Sequence, residues 1–283
     1  MNRLQLPMDT MELSFGACSM SVNDDSLNAR MDSAWKEILW HADEYQDNAK
    51  EGELYKSVPI HDSVLDDPIV VGRLSKGDLV RLYAYHMVQR EPGRNVYDRI
   101  MVSADGRCPY CSGLGSPRNL DHYLPKSSFP QYSVLPSNLI PCCRDCNMDG
   151  KGPGFAKSAE KQVIHPYLDK PHFFEEQWLF AEYHPDENVG VISYFARPPS
   201  CWNEVDKERV RTHFSDFLLA RRFSDAAAVR LVFLIPQVRT LIAHGLSDGD
   251  INECIFQPVT HSPNNANHWE RVMYLALMKC SWR

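Results

Sequence analysis

The chain has 283 residues, a hydrophobic fraction of 43% and a formal net charge of −7. That length allows one large domain or two ordinary ones, and the apolar content is that of a globular chain with a real core. Nine cysteines over this length make a poor disulfide framework, and five of them fall within residues 108–146, which argues for metal ligation in a reducing, cytoplasmic setting.

The apolar runs read as too short to cross a bilayer, and no basic-then-apolar leader opens the chain, so neither a membrane span nor a secretory signal is expected. The charge is uneven. Residues 1–74 hold fourteen Asp/Glu against six Lys/Arg, whereas residues 107–161 hold seven Lys/Arg against four acids. A phosphate feels the local field, because screening limits a charge's reach to about 8 Å at physiological salt. The acidic N-terminal third is either a partner-facing surface or ordinary solvated surface.

In chain order, residues 1–26 show no period and read as an irregular leader. Residues 29–45 place Trp35, Ile38, Leu39 and Ala42 at helical spacing. Residues 57–71 read as a loop. Ser75 with Asp78 resembles a capping box opening a helix to about Gln89. Glu91-Pro92-Gly93 breaks it, and residues 94–104 form a second short helix.

Residues 118–124 are a strand candidate ending in Asp121-His122, kept extended by Pro125. A loop over 127–137 leads to a second short strand at Asn138-Leu139-Ile140. Cys143 then opens a compact helix carrying Cys146, Asn147 and Lys151, stopped by Gly150-Lys151-Gly152-Pro153-Gly154. Beyond it, residues 178–183 and 190–195 alternate like a hairpin. Residues 204–223 form a helix. Ser224 caps another to about His244, kinked at Pro236, and residues 267–279 form the last.

Two metal-binding signals interleave in residues 108–151. Cys108-Pro109-Tyr110-Cys111 and Cys143-Arg144-Asp145-Cys146 are paired clips suited to a closed tetrahedral Zn²⁺ site. Cys142 competes with Cys143, but the spacing to Cys146 favours Cys143. Asp121 offers a charged oxygen and Asn147 a neutral carbonyl oxygen, which leaves most positions on a Mg²⁺-type ion for water and substrate. His122 suits a general base because its unperturbed pKa leaves it mostly neutral, and activity is expected to fall below about pH 6.5. In a regular strand Asp121 and His122 face opposite ways, so a bend is required. Asn138 is better suited to bridging backbone so that the loop holds His122. Lys126, Arg144 and Lys151 are candidate phosphate contacts. His165 and Asp169 either join the site or cap a turn.

Leu120-Asp121-His122-Tyr123-Leu124-Pro125-Lys126, then Asn138-Leu139-Ile140-Pro141, then Cys143-Arg144-Asp145-Cys146-Asn147 closely resembles the HNH endonucleases of the ββα-metal fold with an embedded zinc clip. The resemblance covers about residues 105–155 and has Asn in place of the third-position His. It implies His122 as base, Asp121 and Asn147 on a catalytic Mg²⁺ or Mn²⁺, Asn138 orienting the base loop, and structural Zn²⁺. Tyr97-Asp98 and His165-Pro166-Tyr167-Leu168-Asp169 resemble stand-alone bacterial HNH proteins encoded beside an ATPase, such as the HNH subunit of Septu-type anti-phage systems.

The expected architecture is therefore α+β. An acidic, mainly helical region spans 1–90, an HNH nuclease core with a zinc site 91–170, and a mainly helical region with a small hairpin 171–283. The expected activity is metal-dependent DNA cleavage, working with a partner ATPase in anti-phage defence. The alternatives are a zinc-stabilised nucleic-acid-binding or scaffold subunit that is inactive alone, and an RNA or tRNA endonuclease.

Overall fold

The structure is a computed structural model and describes residues 1–60, 66–152, 154–261 and 266–282. It is α+β: helices dominate, and the strands among the described residues form three separate antiparallel pairs.

Helix α1, Met11–Ser19, is capped by the Thr10 side chain, which accepts from Leu13 N–H. It lies where an irregular leader was expected. Met11, Phe15 and Cys18 are buried at helical spacing, but Gly16 and Ala17 thin that stripe while Leu13 and Met20 stand exposed. The amphipathic pattern is therefore blurred. Helix α2, Asp25–Lys50, overruns the expected 29–45 at both ends and buries Leu27, Met31, Ala34, Ile38, Ala42, Tyr45 and Ala49 along one face.

Residues 61–65 of the expected 57–71 loop lie outside the described residues. The end of that loop is strand β1, Ile69–Val71, paired with β2, Leu74–Ser75. The Ser75–Asp78 capping box is present and opens α3, Lys76–Arg81, which runs on as a π-helical turn, Leu82–Met87. Helix α4, Gly93–Val102, follows.

Strands β3, Asn119–His122, and β4, Leu139–Cys142, pair with Asp121 opposite Ile140 and His122 opposite Leu139. A π-helical turn, Cys146–Lys151, follows β4. It ends at Gly152, whose φ of 59° suits a residue without a side chain; Pro153, the other expected stop, lies outside the described residues. The order strand, loop, strand, helical turn is the one expected.

The short helix α5, His172–Glu175, precedes the hairpin of β5, Leu179–His184, and β6, Val191–Ala196. The two helices expected over 204–223 and from Ser224 to about His244 are present with their boundary shifted toward the N-terminus: α6, Glu204–Asp216, and α7, Leu219–Ala243. Leu218 takes φ 51° between them, and because Phe217 and Leu219 are both buried, apolar spacing runs through the break unmarked. Ser224 is inside α7 instead of capping it, and its hydroxyl donates to Ile192 O at 2.7 Å, tying α7 to β6.

By length and composition α7 is long and apolar enough to cross a membrane, against the expectation from short runs, with 22% of its most apolar stretch buried. Two short helices not expected from the sequence, α8, Asp248–Ile251, and α9, Gln257–Thr260, precede α10, Trp269–Leu277.

Candidate metal centre and adjoining cavity

The two clips converge. Cys108, Cys111, Cys143 and Cys146 are all buried, with their sulfurs within 4.8 Å of one another, and together could hold a metal such as zinc. Cys111 and Cys143 Sγ are 3.9 Å apart, close to the roughly 3.8 Å edge of a tetrahedron with Zn–S bonds of about 2.3 Å. The first clip is held by Cys108 N–H to Gly115 O at 2.9 Å and Gly113 N–H to Cys108 O at 2.9 Å. Gly115 has to be glycine, because a Cβ there would stand 2.8 Å from Cys143 Sγ. Cys142 ends β4 and turns its thiol to Cys143 O at 3.4 Å, and it is Cys143, the residue the spacing favours, whose sulfur lies with those of Cys108, Cys111 and Cys146. Hydrogen bonding with Cys111 and the other thiols holds Cys108 below the usual thiol range. Arg222 of α7 donates to Cys146 Sγ at 3.2 Å, which favours thiolate.

A cavity of about 500 Å³ adjoins the β3–β4 hairpin, and its lining includes Asp121, His122, Lys126, Asn147 and Lys151, with Lys76 from α3. Asp121 and His122 both stay in register in β3, the last residue of which is His122, and both border this cavity.

His122 Nε2 is 2.8 Å from Ser133 O. A carbonyl can only accept, so Nε2 carries the proton and Nδ1 keeps its lone pair. The ring packs edge-on against Tyr83 at 4.3 Å. Burial first, then the nearby Lys126, pulls His122 down to about 3. The imidazole is thus neutral well below the pH 6.5 limit expected from the unperturbed residue.

Asp121 Oδ2 is an ion-pair partner of Lys151 Nζ at 3.4 Å and makes no hydrogen bond among the described residues. Its burial raises the carboxyl pKa, and Lys151 offsets part of that. Lys151 also donates to His122 O at 2.6 Å. Lys126 lies 5.3 Å from the Tyr83 ring centre, its pKa lowered by burial.

Four sequence candidates stand apart from this cavity. Asn138 is fully buried and bridges backbone: Oδ1 accepts from Leu124 N–H at 2.7 Å, and Nδ2 donates to Leu124 O and Tyr132 O, both at 3.1 Å. This is the loop-holding task its chemistry suggested. His165 and Asp169 cap a turn. Asp169 Oδ2 accepts from His165 N–H at 2.6 Å, and His165 Nδ1 accepts from Tyr167 and Leu168 N–H. Arg144 is exposed and does not line the cavity.

Sequence reasoning missed the distant partners of these groups. Tyr45 donates to Asn138 Oδ1 at 3.0 Å, and its oxygen lies 3.1 Å from His165 Nε2. Arg209 pairs with Asp169 deep in the core. Lys76, on the cavity beside Asp121 and His122, gave no signal beyond its charge.

Protein ea31 of Escherichia phage lambda is 32% identical to this chain over 291 residues, 98% of this chain and 97% of that protein. The chain belongs to that protein's family. No family model matches it, and no solved structure does.

Proposed function

We propose that this member of the ea31 family is a metal-dependent endonuclease of the HNH class that hydrolyses DNA phosphodiester bonds. One observation supports the reading above others. Asp121, His122 and Asn147 border one cavity with Lys126 and Lys151, on a hairpin and helical turn flanked by the four-cysteine cluster. We read β3, β4 and the Cys146–Lys151 turn as the ββα-metal core of that class, with the cysteines on structural Zn²⁺.

The donor set fits a hard divalent ion. Asp121 Oδ2 is a buried carboxylate oxygen that makes no hydrogen bond among the described residues and is met by Lys151 Nζ at 3.4 Å, so it keeps acceptor capacity for a metal ion, and Asn147 borders the same cavity with a neutral amide. Mg²⁺ or Mn²⁺ bound there would supply Lewis acidity to the phosphate and the leaving oxygen. His122 Nδ1 takes the proton of the attacking water, while the Ser133 carbonyl holds the ring in its Nε2–H tautomer. Lys126 and Lys151 balance the phosphate charge. Asn138 keeps the 123–138 loop closed over the hairpin, so it is a positioning residue.

With supercoiled plasmid and Mg²⁺ or Mn²⁺, His122→Ala should cut about 10²- to 10⁴-fold more slowly than the unsubstituted protein. Equal nicking by the two would remove the base assignment. The same assay on single-stranded RNA tests the alternative substrate.

We further propose that the nuclease works with an ATPase subunit in anti-phage defence. Support comes from the acidic first third of the chain and from Val229, Val232 and Phe233 exposed along α7, surface that the catalytic cavity does not use. A relative encoded by a phage fits defence of a resident phage against rivals as well as defence of a host. Activity that requires co-expression with a neighbouring ATPase supports this reading; full activity of the isolated chain contradicts it.

A further inference from the structure

A second cavity, of about 360 Å³, shares Lys151 with the catalytic one. Its lining is aromatic and basic. Tyr55 comes from the Leu54–Lys56 turn, Tyr123 directly follows His122, and Phe155 is braced edge-on by Phe129 at 4.9 Å. Lys157 and Lys161 stand exposed at its edge. We infer that this cavity receives an unpaired nucleobase of the strand being cut, next to the scissile phosphate, with the flanking phosphates against Lys151, Lys157 and Lys161. The inference rests on the nuclease reading and adds a substrate preference to it.

Aromatic side chains hold bases through their π faces, and lysines along the same groove track the backbone. A base paired inside a duplex cannot enter a concave pocket, so the ligand is a single strand or a flipped nucleotide. Gln162 supplies an independent sign of a missing partner. It lines the cavity at 2% exposure. Its Oε1 accepts from Tyr55 N–H at 2.9 Å, which fixes the amide's orientation, and its Nε2 makes no hydrogen bond among the described residues. A buried donor left unmade is costly, and a ring carbonyl on a base edge would satisfy it. Asp216, on the same lining, offers an acceptor to a base N–H. The continuity of His122 with Tyr123, and the sharing of Lys151, place the base beside the reacting phosphate and not at a remote site.

The test measures binding, without added divalent cation, of short single strands carrying a fluorescent adenine analogue at successive positions. Quenching confined to one position, and affinity about tenfold lower for a strand abasic there, are expected. Tyr55→Ala, and Phe155→Leu as a milder second variant, should weaken the ordinary strand and leave the abasic strand unchanged. Equal binding of ordinary and abasic strands by the unsubstituted protein, or no quenched position, overturns the inference without any variant. Displacement of the strand by a free nucleoside monophosphate at matching concentration also overturns it, since it marks a small-molecule site. Because no cleavage is read, a protein that binds in this way but never cuts sinks the nuclease reading and leaves the base pocket standing.

Discussion

Two buried polar clusters flank the same loop, residues 123–138, and they are built on opposite terms. In the first, Tyr45, Asn138, His165, Asp169 and Arg209 satisfy one another. Arg209 Nη1 meets Asp169 Oδ1 at 2.8 Å, its Nε meets Gln162 O at 3.0 Å, and Asn138 makes three bonds to backbone and one to Tyr45. In the second, among the described residues, Asp121 Oδ2 has a lysine 3.4 Å away and no hydrogen bond, and His122 spends only one ring nitrogen on the protein. A buried network with every group paired makes a rigid scaffold. One with donors and acceptors left over is poised for a ligand or a reaction. The motif words His165-Pro166-Tyr167-Leu168-Asp169 and Asn138 therefore belong to the frame, while Asp121, His122 and Asn147 border the space where chemistry is proposed.

The largest expected effect is on the four-cysteine cluster. Cys146→Ser, or zinc stripped by a chelator, should remove a folding contribution on the order of 10 kcal/mol. The chain should then lose bound zinc and its cooperative thermal transition together. An unchanged melting curve with no metal bound would show the thiols to be ordinary core.

Next comes the frame. Asp169→Ala strands the buried Arg209 guanidinium and should cost about 3–5 kcal/mol in urea unfolding, while cleavage per folded molecule stays within a few-fold. Losing activity without losing stability would place Asp169 in the chemistry and collapse the distinction between the clusters.

Somewhat smaller is the pH effect of the same frame. Burial pulls His165 from an ordinary imidazole value down to about 4, and protonating Nδ1 would break the bonds from Tyr167 and Leu168 N–H. The unfolded chain, with an imidazole near 6.5, takes up the proton first as pH falls. This ring's contribution is therefore intact above about pH 6.5 and declines toward pH 4, by about 3 kcal/mol in all. His122 and His213, both lowered to about 3 by burial, act in the same direction. Unfolding free energy measured across that window should fall less steeply in His165→Gln; an identical slope would rule out His165 as a contributor.

The sequence made the clamp legible because four cysteines in two short clips leave few other arrangements. It made Asp121 and His122 legible because both are consecutive and chemically committed, and the hairpin around them is short. Asn138 was readable as a bridge because a neutral, short side chain has little else to offer. The partners that complete each group were not legible: Tyr45 sits on α2, Arg209 on α6 and Arg222 on α7, all far away in sequence. On those helices each looks like an ordinary amphipathic position, and only folding reveals what it meets. The break at Leu218 was hidden for a related reason, since apolar residues continue across it and the signal is a backbone angle. Helix α1 was missed because small residues dilute its buried stripe.

The most direct measurement is anomalous scattering from crystals soaked in Mn²⁺, for the unsubstituted protein and for Asp121→Asn. Two separate metals are predicted in the unsubstituted protein: zinc among the sulfurs of Cys108, Cys111, Cys143 and Cys146, and manganese in the cavity beside Asp121 and Asn147. The substitution should abolish the manganese peak and keep the zinc. A cavity that stays empty of manganese in both proteins, or a manganese peak that survives the substitution, would contradict the account.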